Sequence, residues 1–257
     1  MTLELAVFDV AGTTVLDEGG LVAEALERAF RRYRLRVDPA LIHACMGIGK
    51  TAAIQRVLRE TLGPSTMIHP RLVEAIHEAF AEGLEETYRT YASAVPGAEE
   101  SMAILKAVGV KVALTSGFMR RTLDAVLGRL GWVERGLVDV TVASDEVLIS
   151  RPGPAMIFRA MSQTRVAAPA HVAKVGDTPA DLWEGANAGA AWIVGVTWGS
   201  YDRAGLGQHP HTHLADRWED VLRALTTPPT PRRDHAAAEA SPGLRAVVTE
   251  VLQHPAS

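Results

Sequence analysis

The first apolar run of the chain, Leu5-Ala6-Val7-Phe8, stops at Asp9. A short unbroken run of this kind reads as a strand covered on both faces, as in a parallel sheet. Similar runs recur at 111–116, 138–143, 172–176 and 192–198, and helical spacing occupies 98–108, 120–130, 154–162 and 179–189. Strand and helix alternate, which predicts an α/β fold with a Rossmann-like parallel sheet covered by helices on both sides. In such sheets chemistry sits beyond the carboxyl ends of the strands.

From about residue 16 to 95 the alternation stops and only helical stripes remain. Leu21, Val22, Ala25, Leu26, Ala29 and Phe30 form one; Leu72, Val73, Ile76, Ala79, Phe80 and Leu84 form another. Breaks fall at Asp38-Pro39, Gly63-Pro64 and His69-Pro70, and the segment ends at Pro96-Gly97. The pattern predicts a helical cap inserted over the strand ends. The expected organisation is a core over 1–15 and 96–225, a cap over 16–95, and a linker with a last helix over 226–257. That helix would open at Ser241-Pro242 and carry Leu244, Val247, Val248, Val251 and Leu252 on one face.

Composition narrows the function classes. The 257 residues carry 26 Lys+Arg against 30 Asp+Glu, so no global basic field invites nucleic acid or an anionic membrane. The arginine run from Arg28 to Arg36 reads as a solvated helix face. One cysteine, Cys45, excludes an internal disulfide and a Cys-rich zinc site. With no signal-like start and no apolar run near the ~20 residues of a membrane span, a soluble, cytoplasmic protein is expected. His209, His211 and His213 alternate, and the expectation for them is a solvated loop.

The candidate chemistry stands at strand ends. Asp9 precedes the turn Val10-Ala11-Gly12-Thr13-Thr14, where a carboxylate can serve as nucleophile or metal ligand. Lys174-Val175-Gly176-Asp177-Thr178-Pro179-Ala180-Asp181 adds two carboxylates four apart at another strand end. Carboxylates projecting from two strand ends suit a hard cation such as Mg²⁺. Gly47-Ile48-Gly49-Lys50-Thr51 imitates the end of a nucleotide-binding P-loop, but position 44 is alanine and the preceding pattern is helical rather than a strand.

Taken together and in order, these positions resemble the four motifs of the haloacid dehalogenase-like hydrolase superfamily, over residues 5–198. The resemblance implies that Asp9 is a nucleophile forming an aspartyl-phosphate. Ser116, in Thr115-Ser116-Gly117, would hold the phosphoryl group with Gly117. Arg151 would replace the basic residue that is most often lysine. Mg²⁺ would be held by Asp9, the Ala11 carbonyl and Asp177, with Asp181 behind them. A homodimer is a further implication.

Ala11 departs from the superfamily's phosphomonoesterases, which place a second Asp there to protonate the leaving alkoxide. A carbon leaving group removes that need if a lysine first converts a neighbouring carbonyl to an iminium. The stretch Asp-x-Ala-Gly-Thr-Thr resembles the phosphonoacetaldehyde hydrolase (phosphonatase) branch, whose cap presents a lysine in Met-Gly-x-x-Lys. Met46-Gly47-Ile48-Gly49-Lys50 matches it and implies Lys50 as the Schiff-base residue, with Met46 beside the substrate. Gly19-Gly20, Ala53 and Phe118 replace a cysteine, a histidine and an aromatic hydroxyl of that branch, which widens the expected substrate to a related 2-oxoalkylphosphonate. Two alternatives remain at this point: a phosphatase of small monoesters with Lys50 binding the substrate, and a catalytically silent binding module.

Overall fold

The structure is a computed structural model describing residues 2–17 and 19–227. The last helix expected over 241–252 lies outside the described residues. Strand β1 (Leu5–Asp9) leads into α1 (Leu21–Arg32), α2 (Pro39–His43), α3 (Lys50–Leu62) and α4 (Pro70–Tyr91). Then follow α5 (Ala98–Ala107), β2 (Lys111–Ser116), α6 (Arg120–Leu130), β3 (Val140–Ala143) and α7 (Ala155–Thr164). The described chain ends with β4 (Val172–Gly176), α8 (Pro179–Ala188), β5 (Trp192–Val196), α9 (Arg203–Leu206), β6 (His213–Ala215) and α10 (Trp218–Thr226).

All strand pairs are parallel, in the order β3-β2-β1-β4-β5-β6. The fold is α/β, with β1 central and buried along its length. Side chains alternate across the sheet: Ala6, Phe8, Leu114 and Val175 face one apolar cluster, while Leu5, Val7, Ala113 and Val172 face another with α7. The order reverses at β1, so the ends of β1, β2 and β4 enclose the crevice where such sheets bind ligands.

The helical segment inserted after β1 packs through its apolar stripes. Val22, Ala25, Leu26, Ala29 and Phe30 of α1 are buried, and Asp17 accepts from the Val22 amide at 3.1 Å as the helix begins. In α4, Pro70 opens the helix and Val73, Ile76, Phe80, Leu84 and Tyr88 are buried, whereas Leu72 and Ala79 are half-buried. The outer face of α1 carries the ion pairs Arg28–Glu24 and Arg31–Glu27, in keeping with a solvated arginine run. The two crossings between sheet and helices are tied together, Leu16 donating to Ser93 at 2.9 Å and Val95 to Thr14 at 2.9 Å.

One sequence expectation is corrected. The stretch read as a histidine-bearing loop contains a sixth strand: His213 opens β6, and His211 is buried. Three residues are too few to show a period, and the ladder to β5 supplies what local pattern lacks. No helix among the described residues is long and apolar enough to cross a membrane.

Candidate active site

Asp9 is the last residue of β1, and Asp177 follows the neighbouring β4, so parallel pairing brings the two carboxylates together. Asp181 joins them from the first turn of α8; oxygens of the three lie within 4.8 Å of one another. Each is held. Thr13 Oγ1 donates to Asp177 Oδ1 at 2.9 Å, and the Ser200 amide donates to its Oδ2 at 2.7 Å. Thr178, which caps α8, donates its hydroxyl to Asp181 Oδ2 at 2.5 Å. Gly12, at φ 82°, is required here: a Cβ would stand 2.4 Å from Asp177 Oδ2.

Beneath the carboxylates lie two buried cations. Arg151 Nη1 reaches Asp9 Oδ1 at 2.5 Å and Asp181 Oδ1 at 2.9 Å, while its Nε meets Glu184 Oε2 at 2.9 Å. Its Nη2 donates to the Thr115 carbonyl at 2.6 Å and hydroxyl at 2.8 Å. Lys174 Nζ meets Asp181 Oδ1 at 3.0 Å, Glu184 Oε2 at 2.9 Å and Thr115 Oγ1 at 2.9 Å. Lys174 and Glu184 belong to the site but carry no role in the motif reading. A lysine inside the apolar strand Val-Ala-Lys-Val-Gly is itself a signal, because a charge buried there demands partners.

Four carboxylates, Asp9, Asp177, Asp181 and Glu184, thus face two fixed cations, leaving two negative charges in excess. Burial, with Asp9 and Asp181 nearby, pushes Asp177 up to about 7. Burial also raises Asp9, more than Arg151 lowers it. For Asp181 burial is outweighed by Arg151 and Lys174, which hold the carboxyl below its usual range. An oxygen-only donor set short of two positive charges fits one divalent hard cation.

Lys50 approaches from the opposite side. It opens α3, is 3% exposed, and its Nζ has one hydrogen bond among the described residues, a 3.5 Å contact to the Ile48 carbonyl. Burial lowers its pKa to about 8, Asp9 offsetting only part of that effect. The glycines before it explain how the amine gets there. At Gly47, φ 81°, a Cβ would lie 2.0 Å from Thr178 Oγ1; at Gly49 it would lie 2.3 Å from Ser150 Oγ. On the facing loop, a Cβ on Gly117 would come 2.9 Å from the Ile48 carbonyl. At Gly117 the added atom would meet backbone, and at Gly47 a positive φ adds to the crowding, so these two positions favour glycine most.

Asp9, Ala11, Met46, Lys50, Ser116, Gly117 and Arg151 line one cavity of about 20 Å³, together with Phe118 and Thr178; Asp177 and Asp181 lie beside it. Ser116 Oγ accepts from the Phe118 amide at 3.1 Å. Met46 and Ser200 also border a second cavity of about 280 Å³, lined in addition by Asp17, His43 and Trp198. Cys45 is buried and is absent from both linings.

A family model described as haloacid dehalogenase-like hydrolase matches residues 3–189. The chain belongs to the haloacid dehalogenase-like hydrolases. Among curated relatives of this haloacid dehalogenase-like hydrolase, a "Phosphonoacetaldehyde hydrolase" from Bordetella pertussis is 34% identical over 233 residues, 86% of this chain and 82% of that protein. Another of the same name, from Parabacteroides distasonis, is 32% identical over 156 residues, 60% of this chain and 58% of that protein's length. A solved hydrolase from Pseudomonas syringae shares the fold, with a TM-score of 0.76 at 22% identity over 86% of this chain and 97% of its own.

Proposed function

We propose that this hydrolase cleaves the C–P bond of phosphonoacetaldehyde or a related 2-oxoalkylphosphonate, through a Lys50 iminium and a phosphoryl group transferred to Asp9. The observation that carries the reading is a buried lysine with no acidic partner among the described residues, in one cavity with a strand-end aspartate. Ala11 supports it, since position 11 holds no acid to protonate an oxygen leaving group. So do the names of the two curated relatives.

In this reading residues 16–95 cap a core formed by 1–15 and 96–225. The neutral Lys50 amine adds to the substrate carbonyl and, with one proton taken up from solvent, water departs and leaves a C=N⁺ bond. An Asp9 oxygen attacks phosphorus in line; the C–P electron pair moves into the new C=C bond of an enamine. Protonation at carbon and hydrolysis then free Lys50 and the carbonyl product, and water cleaves the aspartyl-phosphate. Arg151, held by Asp9, Asp181 and Glu184, is fixed beside the attacking oxygen. Ser116 and Gly117 receive phosphoryl oxygens.

The carboxylate cluster fits Mg²⁺, with Asp9, Asp177 and the Ala11 carbonyl as holders. Asp181 stands behind them because Arg151, Lys174 and Thr178 already occupy its oxygens. Bound there, the ion would draw charge from the phosphoryl oxygens. A space of about 20 Å³ admits little more than a water, so the helical segment must part from the strand ends for substrate to enter. The adjoining cavity of about 280 Å³ supports a substrate with more carbon than acetaldehyde supplies.

Incubation with phosphonoacetaldehyde and Mg²⁺, followed by borohydride, should alkylate Lys50, as read by mass spectrometry. A Lys50→Arg variant that releases phosphate at the wild-type rate would sink the iminium. Turnover of p-nitrophenyl phosphate that needs Asp9 but not Lys50, without turnover of the phosphonate, would favour the phosphatase reading.

A further inference from the structure

Tyr88 lies in the last turn of α4 and is 0% exposed, yet its hydroxyl has no hydrogen-bond partner among the described residues. A buried phenol normally finds one, and phenylalanine would pack as well here without the penalty. Its ring packs tilted on Phe118, centroids 5.9 Å apart, and Phe118 walls the cavity that holds Asp9 and Lys50. The chain just beyond Tyr88 is tied to the Asp9 turn through Leu16–Ser93 and Val95–Thr14, which fixes the end of α4 above that turn. Burial and then the carboxylates of Asp17, Asp9 and Asp177 push the Tyr88 phenol well above its ordinary value. Asp9 and Asp17 also act on the Lys50 amine, so phenol and amine share two acidic neighbours.

Other orphaned groups differ. Trp218 Nε1 belongs to a ring packed among Phe8 and Trp198, and Glu184 Oε1 belongs to a carboxylate already paired through its other oxygen.

We infer that the Tyr88 hydroxyl donates a hydrogen bond to the substrate's carbonyl oxygen as Lys50 adds to the carbonyl carbon, an inference that rests on the proposed C–P cleavage. The nitrogen lone pair forms the C–N bond and the C=O π pair moves onto oxygen, where the Tyr88 O–H meets the growing charge. A proton from nitrogen then reaches that oxygen, solvent supplies a second proton to the resulting hydroxyl, water leaves, and the C=N⁺ bond forms. Tyr88 keeps its own proton throughout and acts as a donor.

Tyr88→Phe in the full chain tests this. Borohydride trapping at Lys50 with phosphonoacetaldehyde should slow at least ~10-fold, and kcat/KM should fall by ~10² with the phosphonate, the scale of losing one such donor. Its Tm should stay level or rise, and the loss with the phosphonate should exceed any loss with p-nitrophenyl phosphate by at least ~10-fold. Undiminished trapping in the variant, with trapping present in the wild type, overturns the inference alone. Equal losses on both substrates with a lowered Tm also overturn it, because they describe a packing role. Absence of trapping in the wild type overturns the C–P reading, and this inference with it.

Discussion

Two lysines are buried within this protein, and they live in opposite surroundings. Lys174, on the floor formed by the strands, touches two carboxylates and a hydroxyl within 3.0 Å. Lys50, at the start of α3, is as hidden, but among the described residues its amine makes only a 3.5 Å contact to the Ile48 carbonyl. Burial alone therefore says little about a lysine; its partners decide whether the charge is locked in place or easily given up. The floor is built to keep its ions and the roof to release one.

The sharpest break in that contrast comes from the carboxylate between the two. Asp9→Asn should lower phosphate release by ~10⁴ or more while borohydride trapping at Lys50 persists, because the amine and not the carboxylate makes that bond. Loss of trapping in this variant would tie the two steps more closely than proposed.

Removing each lysine should then move stability in opposite directions. Lys174→Met leaves Asp181 and Glu184 short of a buried partner and should cost ~3–5 kcal/mol in denaturant unfolding. Lys50→Met removes a cation whose pKa falls from 10.5 to about 8 on burial, so near neutral pH it should stabilise the fold by roughly 3 kcal/mol while abolishing trapping. A stability loss in Lys50→Met would show that the amine is held by contacts stronger than the one seen.

The gentlest test is pH. The free amine grows as pH rises through about 8, so kcat/KM for the phosphonate should climb about tenfold per unit below that value and level above it. The linkage has the same sign. Between about 8 and 10.5 the unfolded chain binds the Lys50 proton and the folded chain does not, so wild-type stability should rise with pH there relative to Lys50→Met. A flat rate profile across pH 7–9 would contradict an amine nucleophile at position 50.

The α/β alternation is legible in the sequence, and the sheet follows it. The positions of Asp9 and Ser116 at strand ends, and of Asp177 one residue past one, follow from the apolar runs, which a parallel sheet brings to one carboxyl edge; their roles come from the family resemblance. Lys50 enters the sequence reading only through its resemblance to Met-Gly-x-x-Lys, and the close approach of Gly47 to Thr178 and Gly49 to Ser150 emerges only in the fold. What stayed hidden depends on distant contacts. Lys174 and Glu184 are one residue each in a strand and a helix, and their pairing exists only once α8 lies on β4. Tyr88 reads as another member of an apolar stripe until α4 is set against Phe118. Strand β6 is three residues long and depends on its neighbour for its existence.

The seam where Gly47 and Gly49 meet Thr178 and Ser150 has a consequence for inheritance. At Gly47, where the added atom would meet the whole Thr178 side chain and φ is positive, a larger residue must be answered by a smaller one at 178; at Gly49 the Ser150 hydroxyl has to turn away. The helical segment is therefore not a part that can be traded freely between relatives. A chimera carrying a foreign residue 47 without a matching partner at 178 would push the loop off α8's cap, and in the proposed reaction that lifts Lys50 from Asp9.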